Sequence, residues 1–591
     1  MRSISRSLAF FLALLMATRV VAQPPSIDSA ALLGLWGSEQ VLGPSVRGQL
    51  TLDGRGSSWT AELVGYQVQV HRDGQQVSLA LPNAAGEFRG RVDDDGTIVR
   101  GHWLQPDRVP GTSSFLSPVV LKRAQAGVWR GDIEPLIYRM SLYLKIDRVP
   151  DGSLTAFIRS PEQNFGVHRL FNVDVSDSGV TFQNVSRPAD RLSATYDGTA
   201  DRLAIGIPLG VEHGRTHPLV FDFTRRDRNG AIGFYPTTPP RDHYTYAPPL
   251  AETDGWRVAS LADVGLDPAP ITAALDNVLR TQTIDSATPY IQGFLVARHG
   301  KLALESYFYG FDAARTHDLR STGKSFTSAL VGIAIDRRAG FGLDTPVVSL
   351  FPEYRPLAHP DPRKDRITVR HLLTMTSGLD CDDSVEKSLG NEDTLFAQKA
   401  QPDYYRFMLD LPMVQELGNP AMHYCTGGMN LLGGLLKNAT GQSFADLFNA
   451  WIAEPLQFRT YHLATQPTKE AYGGGGLYLR PSDALKLGQV YLDHGVWNGR
   501  RLISAAWVDQ STRRSSGYNA EHGYGFAWHL FNLTLGGRTH REYEAQGNGG
   551  QLIMVIPDLD LAVTCVTGNY DDDETVPERE LLAAIVQAVW D

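Results

Sequence analysis

The sequence predicts a multidomain protein in which a pair of repeated all-β modules precedes an α+β domain. The chain has 591 residues, too many for one hydrophobic core, so two or three domains are expected. Short alternating runs separated by turns fill residues 26–246, which is the pattern of β-strands. After residue 256, a hairpin pattern is followed by a buried helix, which is typical of helices packed on an antiparallel sheet.

Composition and charge exclude some classes of protein. Hydrophobic residues make up 42% of the chain, with 57 glycines and 34 prolines, as in ordinary soluble globular proteins. The formal net charge of −10 argues against a nucleic-acid partner, since no long Lys/Arg cluster offsets it.

Residues 1–22 have the pattern of a secretory signal. Arg2 and Arg6 precede the apolar run Leu8–Met16, and Ala22 supplies a small residue before Gln23. The apolar run is too short to span a bilayer. We therefore expect an exported protein, periplasmic or extracellular, with no membrane span in the mature chain.

The N-terminal region repeats itself. Gly34-Leu35-Trp36-Gly37 is echoed by Gly127–Gly131, Trp59–Leu63 by Leu154–Ile158, and Val119–Lys122 by Leu219–Asp222, at offsets of 93, 95 and 100 residues. We predict module 1 at residues 23–125 and module 2 at 126–246, each a small barrel or sandwich. With no titratable cluster, they are expected to bind or position a cell-wall or protein partner rather than to form a second catalytic domain.

Proline pairs such as Pro248-Pro249 predict a linker at residues 247–256, so the next domain is placed at 257–591. Asp267-Pro268 is typical of a helix N-cap followed by proline at the first helical position. Alternating runs on either side of His299-Gly300 predict a β-hairpin.

The stretch after this hairpin carries the residues best suited to chemistry. A helix of about 15–20 residues is predicted around the apolar segment Phe326–Ile335, with Ser321 at its first turn and Lys324 on the same face. A buried lysine has a lowered pKa and can act as a base towards a serine. The second Ser-x-x-Lys match, Ser384–Lys387, lies in a polar acidic run without a helix, and we interpret it as coincidental.

Further segments follow in order. His371 lies in a helical segment ending at a glycine turn and is expected to be structural. Tyr424-Cys425-Thr426 precedes an apolar helix, and Gly473–Gly476 precedes another. Gly547-Asn548-Gly549-Gly550 leads into two strands, where glycines would let a ligand lie close to the backbone.

These segments resemble, in order and spacing, the serine hydrolases of the class C β-lactamase-like, penicillin-recognising family. That family includes esterases, D-amino-acid amidases, DD-peptidases and β-lactamases. The resemblance runs from about residue 290 to residue 591. It implies a β-lactamase/transpeptidase-like fold, in which an antiparallel sheet is flanked by helices and joined to an all-helical region.

The resemblance also implies residue roles. Ser321 would be the acylated nucleophile, Lys324 the general base, and Tyr424 the residue that passes a proton to the leaving group. The backbone amides of Ser321 and Gly550 would form the oxyanion hole. Contacts to the substrate would come from four residues of the second and third motifs: Thr426, Gly547, Asn548 and Gly549. No metal or cofactor is implied.

Two departures from the family pattern bear on the substrate. Thr426 stands where Asn or Ser is usual, and Gly547 where Lys or His is usual. The missing cation removes a charge-assisted contact to a substrate carboxylate, worth about 1.5–3 kcal/mol. This favours uncharged esters or amides.

The leading hypothesis is therefore an exported serine hydrolase that cleaves an ester, or an amide, through a Ser321 acyl-enzyme. DD-peptidase, D-amidase and β-lactamase activities of the same fold are alternatives. From another class, a catalytically degenerate binding protein is the alternative.

Three cysteines remain to be placed. An oxidising compartment permits one disulfide among Cys381, Cys425 and Cys565. Cys381 and Cys425 both flank segments assigned to the active site, so we propose them as the pair. Three buried free thiols are the alternative.

Overall fold

The computed structural model describes residues 27–41, 46–106, 114–162, 170–176, 179–208, 218–285, 288–535, 537–570 and 578–589. The predicted signal segment, residues 1–22, lies outside the described residues. In the described part of the chain, no helix is both long and apolar enough to cross a membrane.

The N-terminal region is all β, as the alternating pattern predicts. Its strands are β1 Gly34–Val41, β2 Gly48–Asp53, β3 Thr60–Leu63, β4 Tyr66–Gln69, β5 His71–Asp73, β6 Gln76–Ala80, β7 Glu87–Val92, β8 Ile98–Gln105, β9 Phe115–Gln125, β10 Val128–Ile133, β11 Arg139–Arg148, β12 Leu154–Arg159, β13 Leu170–Ser176, β14 Gly179–Asn184, β15 Arg191–Asp197, β16 Arg202–Ile207 and β17 Leu219–Arg225.

These strands form two sheets that exchange their first strands. A closed barrel has the order β1-β11-β12-β13-β14-β15-β16-β17, and the other sheet contains β4-β3-β2-β10-β9-β8-β7-β6-β5. Strand β1 pairs with β11 and β17, whereas β10 pairs with β2 and β9. Strands β1 and β10 carry the two copies of the Gly-x-Trp repeat, so each copy completes the sheet of the other.

The two sheets therefore do not follow the predicted module boundaries. Strand β1, predicted in module 1, belongs to the barrel, and β10, predicted in module 2, belongs to the other sheet. Each exchanged strand buries its tryptophan in the sheet that it joins. Trp36 of β1 is fully buried in the apolar interior of the barrel, and Trp129 of β10 is buried in the second core.

The C-terminal domain begins after residues 247–256, which contain neither helix nor strand. Its strands are β18 Arg257–Val258, β19 Ile291–Arg298, β20 Lys301–Tyr307, β21 His317–Asp318, β22 Tyr461–Ala464, β23 Leu477–Leu479, β24 Val496–Trp497, β25 Arg500–Arg501, β26 Ser516–Gly517, β27 Gly523–Tyr524, β28 His529–Leu535, β29 Arg538–Gly547, β30 Gln551–Ile556 and β31 Leu561–Thr567. Its helices are α1 Pro268–Arg280, α2 Gly323–Asp336, α3 Val369–Leu373, α4 Glu392–Ala397, α5 Tyr404–Asp410, α6 Thr426–Thr440, α7 Phe444–Phe448, α8 Pro481–Leu492, α9 Ala505–Ser511 and α10 Glu578–Gln587.

An antiparallel sheet with helices on both faces organises this domain. The sheet has the order β18-β20-β19-β31-β30-β29-β28-β27-β26, with all but the β18–β20 pair antiparallel. Helices α1 and α10 cover one face through a single apolar core. Helices α2 and α8 cover the other face, and their core continues into the region of α3 to α7. This is the α+β arrangement that the sequence predicts.

Local signals account for the first elements of the domain. The Asp267 carboxylate accepts a hydrogen bond from the Ala269 amide at 2.9 Å and caps α1, as predicted. The predicted hairpin is formed by β19 and β20 around the turn at His299-Gly300. Both predictions are confirmed.

A second path of strands joins the N-terminal region to the C-terminal domain. Leu463 and Ala464 of β22 pair with Leu116 and Phe115 of β9. Strand β22 pairs with β23, and β23 pairs with β21. Because β21 ends at Asp318, a continuous sheet runs from the N-terminal region to the residues just before Ser321.

Candidate active site

Ser321 and Lys324 lie together at the start of α2. Residues Arg320–Thr322 form one 3₁₀ turn, and the α-helix begins at Gly323. The spacing of three residues places both side chains on one face, where the Lys324 Nζ donates to the Ser321 Oγ at 2.7 Å. The half-buried hydroxyl thus faces an amine within proton-transfer distance.

The protonation of Lys324 is set by its surroundings. The side chain is 1% exposed, and this burial lowers the pKa of Lys324 from 10.5 to about 8. The nearby carboxylates of Glu392 and Asp383 act in the opposite direction and keep the pKa from falling further. A lysine with this pKa can accept a proton near neutral pH.

Tyr424 completes a cluster with this pair. The Lys324 Nζ lies 4.9 Å from the centre of the Tyr424 ring. Burial raises the pKa of Tyr424, while a hydrogen bond with the Ser321 side chain acts against that rise. The phenol therefore keeps its proton at neutral pH and can hand it to an oxygen or nitrogen bound near Ser321.

The turn before the nucleophile is held in an uncommon conformation. Arg320 has φ of 49°, in the left-handed region that residues other than glycine seldom adopt. Its amide donates to the Oδ1 of buried Asp318 at 2.9 Å. Such a conformation persists only where its surroundings hold it, and it is often found at functional sites.

Two glycines bring other segments against this turn. A Cβ at Gly547 would lie 2.3 Å from the Leu319 carbonyl oxygen, and a Cβ at Gly475 would lie 3.1 Å from the Arg320 carbonyl oxygen. The Gly547 segment therefore approaches the nucleophile turn more closely than a side chain allows, and the Gly475 segment is tightly packed against it. The glycines from Gly547 were predicted to let a ligand lie close, and at Gly547 the close approach is between parts of the chain itself.

Two residues predicted to contact the substrate also hold turns of the chain. The Gly550 amide donates to the Gly547 carbonyl oxygen at 3.2 Å and closes the turn after β29. Thr426 is 1% exposed, and its amide donates to the Asp383 carboxylate at 2.9 Å at the start of α6. The oxyanion role of Gly550 and the substrate contact of Thr426 stay predictions.

Sequence reasoning missed a carboxylate pair beside Lys324. The two Asp383 oxygens accept from the amides of Thr426 and Glu392, each at 2.9 Å, so one side chain caps both α6 and α4. The Glu392 carboxylate accepts from the Tyr472 hydroxyl at 2.9 Å. Burial and the neighbouring Glu392 raise the pKa of Asp383 to about 6. The acidic run around Asp383 was visible in the sequence, but it has no periodicity that places it near Ser321.

An aromatic and imidazole wall beside Tyr424 was also missed. The Tyr424 ring centre lies 6.4 Å from that of Tyr524 and 6.3 Å from that of His529. His522 and His529 share a hydrogen bond of 2.8 Å between ring nitrogens. Burial lowers the pKa of His529 to about 3, so this wall is neutral. Its residues come from β27, β28 and the turn before β27, and only folding places them near Tyr424.

The remaining predicted residues take structural places. Ser384 and Lys387 of the second Ser-x-x-Lys match are exposed in a loop. The His371 side chain forms a capping box with Thr368 at the start of α3. Within the described residues, no group of three His, Cys, Asp or Glu side chains could hold a metal ion.

Cys381 and Cys425 are joined in the structure, with Sγ atoms 2.02 Å and Cα atoms 5.2 Å apart. The bond links the loop that carries Asp383 to the residue after Tyr424. Cys565 is a buried free thiol in β31.

Comparison with known proteins shows which proteins and which family this chain resembles. The chain is 24% identical over 227 residues to the 6-aminohexanoate-dimer hydrolase of Paenarthrobacter ureafaciens, a match covering 36% of this chain and 55% of that protein. It is 30% identical over 217 residues to esterase EstB of Burkholderia gladioli, covering 33% of this chain and 52% of that protein. The chain thus spans about half the length of these curated relatives.

One solved structure with a related fold is a penicillin-binding protein homologue from Caulobacter crescentus. It is 15% identical, the match covers 54% of this chain and 97% of that one, and the TM-score is 0.41.

A hydrolase and an esterase are therefore among the proteins that this chain resembles. The model of the Beta-lactamase family matches residues 289–587, half of the chain, and the protein belongs to that family. The predicted fold of the C-terminal domain is thereby confirmed.

Proposed function

We propose that the protein hydrolyses an uncharged ester, or an amide, through an acyl-enzyme on Ser321. The observation that carries this proposal is the 2.7 Å contact between Ser321 Oγ and the buried amine of Lys324. A serine hydroxyl is a weak nucleophile until a positioned base takes its proton.

In the acylation step, Lys324 accepts the Ser321 proton as Oγ bonds to the substrate carbonyl carbon. Tyr424 donates its proton to the leaving oxygen or nitrogen as the scissile bond breaks, and Lys324 returns a proton to Tyr424. In deacylation a water molecule attacks the acyl carbon, its proton passes to the Lys324–Tyr424 pair, and Ser321 Oγ is released and reprotonated. Proton transfer by positioned groups contributes about 10²–10⁴-fold to such reactions.

The negative charge on the carbonyl oxygen needs two backbone donors. We propose the amides of Ser321 and Gly550. Gly547, at the start of the same glycine-rich turn, lies against the nucleophile turn. A substrate oxygen would compete with the Gly547 carbonyl oxygen, which accepts from the Gly550 amide at 3.2 Å.

The electrostatics of the site favour an uncharged acyl group. Gly547 offers no cation for a substrate carboxylate, and Asp383 and Glu392 lie close enough to Lys324 to raise its pKa. An anionic substrate would meet these carboxylates in a partly buried site. Carboxylate-bearing β-lactams and peptidoglycan stems are therefore disfavoured as substrates.

The alternative of a catalytically degenerate binding protein is disfavoured by a different observation, the Ser321–Lys324–Tyr424 cluster.

We further propose that the protein is exported to the periplasm or beyond. The signal-like residues 1–22 and the Cys381–Cys425 disulfide support this location, since disulfides persist in oxidising compartments.

The substrate class is tested by turnover on short p-nitrophenyl esters, nitrocefin and D-amino-acid p-nitroanilides at one enzyme concentration. We expect the esters to have the highest kcat/KM. The variant Ser321→Ala controls for background hydrolysis. Faster turnover of nitrocefin than of every ester would contradict the proposed substrate class while leaving the serine mechanism in place.

A further inference from the structure

A buried hydrogen-bond chain links the N-terminal barrel to the nucleophile turn. Pro161 lies just after barrel strand β12, and its carbonyl oxygen accepts from the Gln292 Nε2 at 2.6 Å. The Gln292 Oε1 in turn lies 2.5 Å from the Nε2 of His317. Gln292 is 0% exposed and His317 2% exposed, so water does not compete for these bonds.

The orientation of the Gln292 amide in this hydrogen-bond chain follows from its partner. The Pro161 carbonyl can only accept, so it fixes the Gln292 amide with Nε2 towards the barrel and Oε1 towards His317. Burial keeps His317 neutral, with its pKa lowered to about 3, so the ring carries one N–H. The Gln292 oxygen, 2.5 Å from Nε2, and the Asp318 carbonyl oxygen, 3.1 Å from Nδ1, can both only accept, so we assign the single N–H to Nε2, which makes the shorter contact.

His317 is connected through its neighbour Asp318 to the turn at Arg320. It forms β21 with Asp318, and the Asp318 carboxylate accepts from the Arg320 amide at 2.9 Å. Arg320 holds its φ of 49° immediately before Ser321. A two-residue strand makes few backbone bonds, so the side-chain bond of His317 adds to the backbone bonds that hold the turn that follows.

The second N-terminal sheet reaches the same strand by another path. Its β9 pairs with β22, β22 with β23, and β23 with β21. A hydrogen bond of 2.8 Å between Ser117 Oγ and the His462 Nδ1 supports the β9–β22 pairing. Strand β21 is thus held from both N-terminal sheets.

We propose that the N-terminal barrel is part of the catalytic unit, with Gln292 as the positioning residue that holds His317, and through it the Asp318–Arg320 turn, in place for Ser321. This assigns the N-terminal region a role in positioning the nucleophile, whichever acyl group the enzyme takes. Neither Gln292 nor His317 touches the reacting atoms.

The same interface supplies a matched control. The Tyr290 hydroxyl donates to the Gly233 carbonyl oxygen of the N-terminal region, and Tyr290 is also 0% exposed. Tyr290→Phe removes a buried interdomain hydrogen bond without touching His317. It also keeps the ring over which the Arg159 guanidinium stacks at 4.2 Å.

The experiment compares Gln292→Leu with Tyr290→Phe in the full chain. Melting temperature, the rate of Ser321 labelling by a fluorophosphonate, and hydrogen exchange of the peptide around residues 317–323 are measured. We expect Gln292→Leu to slow labelling about tenfold or more and to speed exchange in this peptide by a similar factor. Tyr290→Phe should label within about twofold of wild type, with unchanged exchange there.

A pair of variants at His317 distinguishes a positioning role from a general effect on stability. His317→Gln, whose amide can still donate to Gln292, should label faster than His317→Leu even at equal melting temperature. Equal labelling and exchange in Gln292→Leu and Tyr290→Phe would overturn the proposal. If Ser321 is not labelled in wild type, the acyl-enzyme reaction fails instead, and the exchange data alone decide whether Gln292 positions the turn.

Discussion

Lys324→Ala is expected to slow acylation of Ser321 by about a thousandfold, because the base that takes the hydroxyl proton is lost. Lys324→Arg should not restore activity, since a guanidinium stays protonated and cannot act as a base. Single-turnover release of p-nitrophenol from a short ester measures this step directly. Acylation within about tenfold of wild type in Lys324→Ala would rule out this lysine as the general base.

The pH dependence tests the same assignment. Lys324 must be unprotonated to act, so kcat/KM should rise about tenfold per pH unit below its pKa of about 8 and level off above it. The Glu392 carboxylate raises the pKa of Lys324, so Glu392→Gln should move the rising limb to lower pH. A limb that stays in place, or moves to higher pH, would contradict control of the rate by Lys324.

Gly547→Ala is expected to lower kcat/KM by about a hundredfold. Its Cβ would lie 2.3 Å from the Leu319 carbonyl oxygen, a backbone atom that cannot rotate away. The third motif and the nucleophile turn must then separate, and a shift of about 1 Å at reacting groups can cost that factor. Steady-state kinetics on the preferred ester gives the measurement.

Gly342→Ala is the matched control, because a Cβ there meets nothing within 4 Å. It should keep wild-type kcat/KM and a melting temperature close to wild type. Activity of Gly547→Ala close to that of Gly342→Ala would show that the contact with Leu319 does not position the site.

The sequence was informative where local signals and tertiary structure agree. The apolar run after Lys324 predicted α2, and serine and lysine three residues apart had to share a face of that helix. The Asp267 helix cap and the hairpin around Gly300 were predicted from the sequence in the same way. In each case the determining interactions lie within a few residues of one another.

Contacts between distant segments could not be read in this way. The exchange of β1 and β10 between the two sheets leaves no trace in the sequence repeat, because the tryptophan of each strand is buried whichever sheet the strand joins. Asp383 and His529 reach the site from loops and strands far from Ser321, with no periodicity to mark them. The third motif was found in the sequence, but the bond by which its Gly550 amide closes a turn was not predictable there.

The central claim is that Ser321 is the nucleophile, and intact-protein mass spectrometry after treatment with a fluorophosphonate tests it most directly. Wild type should gain one phosphonyl group, mapped by peptide digestion to Ser321, while Ser321→Ala gains none and Ser384→Ala labels like wild type. Equal labelling of Ser321→Ala, or an adduct on another serine, would contradict the account.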